Sequence, residues 1–576
     1  MKACIIGGVA GGATVAARLR RLNEDAEIIV FERGDYISYA NCGLPYYLGA
    51  TIEERENLFV QTPERFKRRL NVEARVKSTV TKIDRAAKTI TVVERETGRE
   101  YQEEYDKLIL SPGAEPVRPP IPGIDDEAIF TLRNVPDMDR IEEHIRTQRP
   151  KRAVLVGAGF IGLEMAENLH HRGIFVTIVE MLEQVMNVLD YEMAAEVHQH
   201  LKTKKVEFYL RDGVKSFHRD GDTIVVTLNS GRTLSADMVI LSIGVRPETA
   251  LATEAGLAVG EGGGIVVDRN LRTEDPDIYA VGDAIEFPHP VSGDPVTIPL
   301  AWPANYQGRI VADNITFGNT KQYRGTFGTA IAKVFDMTVG STGLSEKQLD
   351  RVRRPYQVVI VHSSSHAGYY PGSKPVSLKV IFDPADGRLL GAQAVGYEGV
   401  DKRIDMLSTF LVAGGSVAEL AALEHAYAPP YSSAKDPVNI AGYIAENIMA
   451  GISEHIQWYE LVEPKAANIF VLDVRTPGEV ADGAVPGSLN IPVDELRARV
   501  EELPRDKKIV VYCQVGQRAY FAERILRQSG FKDVANLSGG YTTFSLAVQE
   551  QSNEDIFERA FIDVDDTIYG REPEDR

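Results

Sequence analysis

The sequence predicts an α/β chain: two parallel-sheet units that bind nucleotides, then an α+β unit, then a smaller C-terminal α/β unit. Three observations carry this prediction. A strand, a glycine turn, a helix and a second strand succeed one another from Lys2, and the same pattern returns from about Ala153. Short strands and helices alternate from about residue 325 to 446. A separate strand-loop-helix pattern then delivers Cys513. At 576 residues the chain is too long for one core. The expected boundaries are 1–115 with 250–324 for the first nucleotide unit, 116–249 for the second, inserted unit, and 325–446 for the α+β unit. A linker at 447–454, the C-terminal unit at 455–548 and an acidic tail at 549–576 complete the chain.

Composition excludes several function classes. Hydrophobic content of 44% with 26% charged residues suits a globular protein in water. No apolar run approaches the roughly 20 residues that span a bilayer, so no membrane partner is expected. The net charge of -19 argues against nucleic acid as a partner while leaving room for a local basic pocket. Met1 leads directly into a strand, which leaves no room for a signal peptide, and a cytoplasmic location is expected. The three cysteines, Cys4, Cys42 and Cys513, are too few and too scattered for a disulfide framework or a metal cage.

In the first nucleotide unit, Lys2 to Ile6 reads as a buried strand. Gly7-Gly8-Val9-Ala10-Gly11-Gly12 follows, and an alanine-rich helix runs to about Leu22. Glu27 to Phe31 is the next strand and ends in Glu32. Glycines at such a turn let backbone N–H groups approach a pyrophosphate, and the acid is placed for a ribose hydroxyl. Val9 stands at the usual second-glycine position. Tyr105 to Ala114 looks like a strand leading into a turn at Ser111, Pro112 and Gly113 beside the cofactor. The run Thr273 to Asp283 resembles the flavin-enzyme motif whose aspartate binds the ribityl chain of FAD, with Gly282 and Asp283 at its end. FAD is therefore expected here, with Arg33 and Val80 as further contacts. On the helix, Thr14, Arg18 and Arg21 lie at i, i+4 and i+7 and share one face. That face is either a solvated basic surface or a phosphate site.

In the second nucleotide unit, a strand from Ala153 to Val156 precedes Gly157-Ala158-Gly159-Phe160-Ile161-Gly162 and a helix carrying Glu164 and Glu167. Strand Phe175 to Val179 ends at Glu180. This glycine fingerprint is complete. Glu180 would accept hydrogen bonds from a free ribose 2′-OH and repel a 2′-phosphate, which favours NADH, with NADPH the alternative. Gly157, Gly159, Gly162, Glu180 and Gly244 are the expected NAD contacts. Two Rossmann-like units, one inserted in the other, make a reductase in which hydride passes from NADH to flavin and on to a second acceptor, normally a sulfur.

The sulfur on offer is Cys42, in Ser38-Tyr39-Ala40-Asn41-Cys42-Gly43-Leu44-Pro45. A lone cysteine is usually a small buried hydrophobe, but here electrons can be delivered to it. No second cysteine follows before Cys513, so Cys42 would cycle through a mixed disulfide or a sulfenate. The first chemistry gives disulfide or persulfide reduction, the second NADH oxidase or peroxidase activity.

With these motifs, and with His366-Ala367-Gly368-Tyr369-Tyr370-Pro371-Gly372 and His425-Ala426-Tyr427-Ala428-Pro429-Pro430-Tyr431-Ser432, residues 1–445 resemble a known family. It is that of the coenzyme A-disulfide reductases and the related NADH-dependent persulfide reductases. Related oxidases and peroxidases place a histidine in the first glycine turn, where this chain has Val9-Ala10. The resemblance implies that Cys42 is the nucleophile and rests as a mixed disulfide with coenzyme A. It implies a coenzyme A site at Thr14, Arg18, Arg21, Ser38 and Asn41, with Asn305, Lys435, Arg68 and Arg69 held more loosely. It implies a dimerisation domain at 325–446 and a homodimer in which Tyr369 and Tyr427 reach Cys42 of the partner subunit. A phenol there would act as general acid to the leaving thiolate; the alternative is a pair of interface tyrosines.

In the C-terminal unit, Phe470-Val471-Leu472-Asp473-Val474-Arg475 ends a strand, and strand Lys508 to Tyr512 leads into Cys513-Gln514-Val515-Gly516-Gln517-Arg518. A helix follows at once. Such a loop can aim backbone N–H groups at the sulfur, while the helix N-terminus favours a thiolate and Arg518 adds positive charge. These motifs resemble the rhodanese sulfurtransferase domain over about 455–548, departing at Ala484, where that family often has histidine. The resemblance implies a persulfide on Cys513; the alternative is a buried structural thiol.

The function expected is NAD(P)H-dependent reduction of coenzyme A persulfide, polysulfide or coenzyme A disulfide through FAD and Cys42. The alternatives are a coenzyme A-disulfide reductase or NADH oxidase with an accessory rhodanese unit, and a redox sensor or sulfur-delivery protein.

Overall fold

The computed structural model describes residues 1–462 and 468–551, so the acidic tail lies outside the described residues beyond Gln551. The chain divides into two compact units, residues 1–183 with 206–328 and residues 184–205 with 329 onward.

The first unit holds two five-stranded sheets whose paired strands all run parallel. One has the order Ile278–Ala280, Lys107–Leu110, Lys2–Ile6, Glu27–Phe31, Glu73–Arg75. The other has the order Glu207–Tyr209, Phe175–Val179, Arg152–Val156, Met238–Leu241, Ile129–Thr131. In each central strand four consecutive residues are buried, as in Ala3 to Ile6 and Ala153 to Val156. Unbroken burial is what parallel strands covered on both faces require. The entry and exit of the inserted segment pair with one another, Ala114–Pro116 antiparallel to Val245–Pro247, so the second sheet is spliced into the first at one two-stranded seam.

The second unit contains a five-stranded antiparallel sheet, ordered Ala330–Val334, Met337–Gly343, Leu389–Gly396, Pro375–Phe382, Gln357–Ser364. It also contains a five-stranded parallel sheet around Lys508–Tyr512. The helix Tyr191–Thr203, from inside the 116–249 segment, belongs to this unit. Helix Pro437–Met449 runs past residue 446, so the connector to strand His455–Ile456 is short. Among the described residues no helix is long and apolar enough to cross a membrane.

One ion cluster ties these parts together. Lys379, with no exposed side-chain surface, bonds Asp190 at 2.8 Å and also pairs with Glu192 and Glu346. Asp190 precedes the helix Tyr191–Thr203, and its Oδ2 accepts from Gln393 Nε2 at 2.7 Å. Trp458 Nε1 donates to Glu192 at 3.2 Å and Tyr459 Oη to Glu346 at 3.2 Å, which brings the C-terminal unit's first residues onto the cluster. Burial works against the Lys379 charge, but Asp190, Glu192 and Glu346 outweigh it and hold the ammonium charged.

Lys379→Met would leave three carboxylates buried without their cation. It is expected to destabilise the second unit by about 3–5 kcal/mol. The loss should be greatest at high pH and ease as the freed carboxylates take up protons, a trend that urea unfolding at several pH values measures.

Candidate functional site

Three helix N-termini lie beside the candidate residues, each at a glycine-containing turn. Helix Ala10–Leu22 starts after Val9, which offers no side-chain cap, and carries no acid in its first turn. Helix Phe160–His171 starts after Gly159 in the same way. Neither residue before these helices caps the first N–H groups with its side chain, an arrangement suited to phosphate, while Gly12 N is taken by Ser111. The turns are also too tight for other residues. A Cβ on Gly12 would lie 1.9 Å from the Gly7 carbonyl oxygen, and one on Gly162 would lie 2.1 Å from that of Gly157. Gly7 and Gly157 have φ of 95° and 102°.

The acids that close the two turns repeat one geometry. Glu32 accepts from Gly8 N at 2.9 Å and Gly34 N at 2.7 Å, while Glu180 accepts from Ala158 N at 2.8 Å and Leu182 N at 2.9 Å. Each carboxylate is therefore fixed at its strand end beside the glycine turn. Ser111 Oγ accepts from Gly12 N at 3.1 Å, and Pro112 offers its carbonyl to Arg133 at 3.2 Å. Gly113 and Gly244 adopt φ of 80° and 109°. Asp283 sits in the short turn Gly282–Ala284, where burial pushes its carboxyl up and Arg133 opposes the shift. Arg33 is bound to Glu115 and Glu248, and Val80 lies half-buried beside a strand bulge. The Gly7–Gly12 turn with Glu32, Ser111 and Asp283 fits FAD, and the Gly157–Gly162 turn with Glu180 fits a pyridine nucleotide.

Cys42 lies in the single turn Asn41–Gly43, with its N–H bonded to Asn41 Oδ1 at 3.1 Å. It is exposed, yet the surrounding protein, with Glu164 and then Asp283, pushes its thiol up. Ser38 holds a left-handed backbone at φ 46°, its N–H bonded to the Gly8 carbonyl at 2.8 Å. The structure joins Thr14 and Asn305 directly, the threonine hydroxyl donating to Asn305 Oδ1 at 2.6 Å. Arg18 is committed to Asp313 at 2.8 Å, whereas Arg21 is exposed. Arg68 and Arg69 are exposed at the end of helix Pro63–Leu70.

In the second unit, Tyr369 and Tyr427 meet, their hydroxyls 2.9 Å apart, and both rings are exposed. Tyr370 instead packs its ring against His366. Lys435 is exposed nearby in sequence. The two tyrosine loops are held by one buried arginine. Arg403 Nη2 donates to the Ser365 carbonyl at 2.9 Å and to Asp436 at 2.7 Å, and Ser432 Oγ also bonds Asp436 at 2.8 Å. Ala367 N to the Ser432 carbonyl, at 3.0 Å, completes the link. The sequence reading missed Arg403 and Asp436, because a salt bridge 33 residues apart leaves no local pattern.

Cys513 is buried, and Gly516 N donates to its sulfur at 3.1 Å. Gly516, at φ 102°, is the uncapped start of helix Gln517–Gln528. Arg518 grips Glu479 through two bonds of 2.8 and 2.5 Å and holds that carboxyl down to about 2. The Cys513 sulfur is among the groups that keep Arg518 charged. Glu479 also went unnamed in the sequence reading, although Thr476-Pro477-Gly478-Glu479 carries the spacing of a capping box, which the structure forms.

Comparison with known proteins accords with this geometry. Residues 1–308 match the family model described as pyridine nucleotide-disulphide oxidoreductase, 329–437 match its dimerisation domain, and 457–547 match a rhodanese-like domain. A coenzyme A disulfide reductase from Staphylococcus haemolyticus is 38% identical over 447 residues, covering 78% of this chain and all of that one. The crystal structure of reduced Bacillus anthracis CoADR-RHD superposes with a TM-score of 0.93 at 52% identity, covering 95% of this chain and 98% of that one. A NAD-dependent persulfide reductase from A. fulgidus gives a TM-score of 0.88 at 40% identity, covering 94% and 100%.

Arg403→Leu would strand Asp436, whose carboxyl Arg403 holds low against the opposing effect of burial. The change is expected to cost about 3–5 kcal/mol and to raise amide hydrogen exchange in segments 365–374 and 425–436 before the sheet strands. Because the pKa of Asp436 is depressed in the fold, the pair's contribution is present above about pH 4 and is lost as pH falls further.

Proposed function

This chain belongs to the pyridine nucleotide-disulphide oxidoreductase family and carries a rhodanese domain, and from that premise we propose that it reduces coenzyme A persulfide, polysulfide and coenzyme A disulfide with NAD(P)H. One observation carries the reading: a lone exposed thiol at Cys42 shares the chain with a buried thiol, Cys513, that has a backbone N–H on its sulfur. The names of the similar proteins, one a coenzyme A disulfide reductase and one a NAD-dependent persulfide reductase, support the same substrate class.

Bound FAD supplies the passage of two electrons from NADH to sulfur. The chain's residues do the rest. The Cys42 thiolate attacks the inner sulfur of coenzyme A persulfide, forms the Cys42–coenzyme A disulfide and releases hydrosulfide. Two electrons then break that bond, and the departing coenzyme A thiolate takes a proton from Tyr427 of the partner subunit, hydrogen-bonded to the partner's Tyr369. Thr14 and Asn305, with Arg18, Arg21, Ser38 and Asn41, orient coenzyme A. Arg68, Arg69 and Lys435 offer exposed positive charge for its phosphates. Glu180 favours NADH by repelling a 2′-phosphate. Cys513 carries sulfane sulfur, with Arg518, aligned by Glu479, stabilising its charge. The chain acts as a homodimer through its dimerisation domain and works in the cytoplasm.

The reading is tested by NADH consumption with coenzyme A persulfide, coenzyme A disulfide and oxygen in turn. Cys42→Ser is expected to lower persulfide turnover by roughly a thousandfold or more, and full turnover in that variant would overturn the mechanism. The intact mass of the protein as isolated should show a coenzyme A adduct on Cys42.

Cys513→Ala is expected to abolish sulfur transfer from thiosulfate to cyanide. Retained transfer would remove Cys513 from the carrier role.

A further inference from the structure

Strand Gln357–Ser364 lies at the edge of the antiparallel sheet. An edge strand leaves N–H and C=O groups on one side without a partner strand. Residues of the C-terminal unit take up this edge. Gln457 Nε2 donates to the Val358 carbonyl at 3.4 Å, and Ile360 N donates to Ser538 Oγ at 3.2 Å. All four residues are buried, so these bonds satisfy groups that water cannot reach. Two residues further along the strand, His362 Nε2 lies 2.7 Å from Thr543 Oγ1, while its Nδ1 lies 2.8 Å from Ser377 Oγ on the neighbouring strand. Ser377 also bonds Glu196, a buried residue of helix Tyr191–Thr203. Desolvation pushes His362 down to about 4 and Glu196 up to about 8, so both are predominantly uncharged at neutral pH.

The segment that receives these contacts also shapes the loop carrying Cys513. Tyr541 N donates to the Cys513 carbonyl at 2.8 Å, Thr542 N to the Gln514 carbonyl at 3.0 Å, and Gln514 Nε2 to Thr542 Oγ1 at 3.1 Å. Two successive glycines allow so close an approach on both sides. A Cβ on Gly539 would lie 2.0 Å from Thr543 Oγ1 and 3.0 Å from Ile360 Cγ2, and one on Gly540 would lie 2.5 Å from the Cys513 carbonyl oxygen. The carbonyls of Cys513 and Gln514 are thereby drawn towards residues 541–542. Each peptide is planar and trans, so the N–H groups of Gln514 and Val515 face the opposite way. One peptide later, Gly516 N gives the sulfur its hydrogen bond. Nothing in the mechanism above uses His362 or Thr543.

We propose that His362 and Thr543 are positioning residues for Cys513: their bond fixes segment 538–543 on the sheet edge, and that segment fixes the loop that holds the sulfur. The proposal rests on the reading of Cys513 as the carrier of sulfane sulfur. In the transfer, the Cys513 thiolate attacks the outer sulfur of thiosulfate, the donor's S–S bond breaks and sulfite leaves with the electron pair. Cyanide then takes that sulfur as thiocyanate, and the Cys513 thiolate returns. Both steps need the reacting sulfur in line with the bond that breaks, so a loop free to shift slows them while the thiol stays in place.

The test is the single-turnover rate at which thiosulfate loads Cys513 in the full-length FAD-loaded protein. The persulfide is trapped with iodoacetamide and read from the mass of the Cys513 peptide. Thr543→Val keeps the side-chain shape and removes the hydroxyl. It is expected to slow loading about ten- to a hundredfold and to leave NADH-dependent reduction of coenzyme A disulfide unchanged. Thr543→Ser, which keeps the hydroxyl, should load close to the parent rate. A contact that only stabilised the fold would lower the melting temperature and leave the loading rate of the folded protein as it was, a result that overturns the proposal. Equal slowing in Thr543→Ser, or slowing of both activities alike in Thr543→Val, overturns it too. If Thr543→Val does not fold, His362→Phe removes the same bond from the other side: slowed loading with intact reduction supports the proposal, and an unchanged rate overturns it. Retained transfer in Cys513→Ala would refute the carrier role itself, whereas these rates judge the positioning of a working carrier.

Discussion

The structure depends on leaving helix N-termini open. An Ser, Thr, Asp or Asn cap is worth about 1 kcal/mol to a helix, yet helices Ala10–Leu22, Phe160–His171 and Gln517–Gln528 begin without a side-chain cap hydrogen bond or an acid in the first turn. Thr62, Asn134, Asp436 and Thr476 cap other helices, while Ala301–Phe317 and Val400–Ala413 also start uncapped. The first three starts each follow a strand of a parallel sheet. Strands buried on both faces, such as Lys2–Ile6, Arg152–Val156 and Lys508–Tyr512, hold each helix start in place through packing. The N–H groups at these starts are then left for an anion, and in the third case the N–H of Gly516, the residue before the helix, already points at the Cys513 sulfur.

This constraint explains what the sequence revealed. Glycine turns that follow a buried strand leave a local signature, so the two nucleotide units, Glu32 and Glu180, and the Cys513 loop were all legible by position. The remainder depends on long-range polar contacts. Nothing local shows that helix Tyr191–Thr203 joins the second unit, because the reason is Lys379 meeting Asp190 and Glu192 nearly 190 residues earlier in the chain. Likewise, Tyr369 and Tyr427 stand 58 residues apart and meet only in three dimensions. Arg18 read as one of three equivalent basic residues on a helix face, but its pairing with Asp313 separates it from exposed Arg21.

Buried charges in the second unit lie under the residues that carry chemistry. Arg403 sits beneath the tyrosine loops. Arg475, almost fully buried, bonds Asp473, the Gly483 carbonyl and Gln514 beside Cys513. Such pairs are weak sources of net stability, because desolvation offsets the attraction, but losing one partner is costly. They therefore act as fasteners, fixing the geometry of a loop that apolar packing alone would leave free to shift. Exposed Tyr369 and Tyr427 have little packing of their own, and the Arg403–Asp436 pair below them supplies the order they lack.

The two thiols occupy opposite environments, and the contrast fits the division of labour proposed for them. Cys513 is enclosed, receives a hydrogen bond from Gly516 N and has the Arg518 guanidinium nearby. Cys42 is exposed, yet burial by the surrounding protein, then Glu164 and Asp283, work against its ionisation. A thiol that rests as a disulfide needs its negative charge only after electrons arrive. Acids that disfavour that charge raise the energy of the reduced state, unless they take up protons as it forms. The surroundings of Cys42 thus oppose its charge, whereas Cys513 has a backbone N–H on its sulfur and Arg518 nearby.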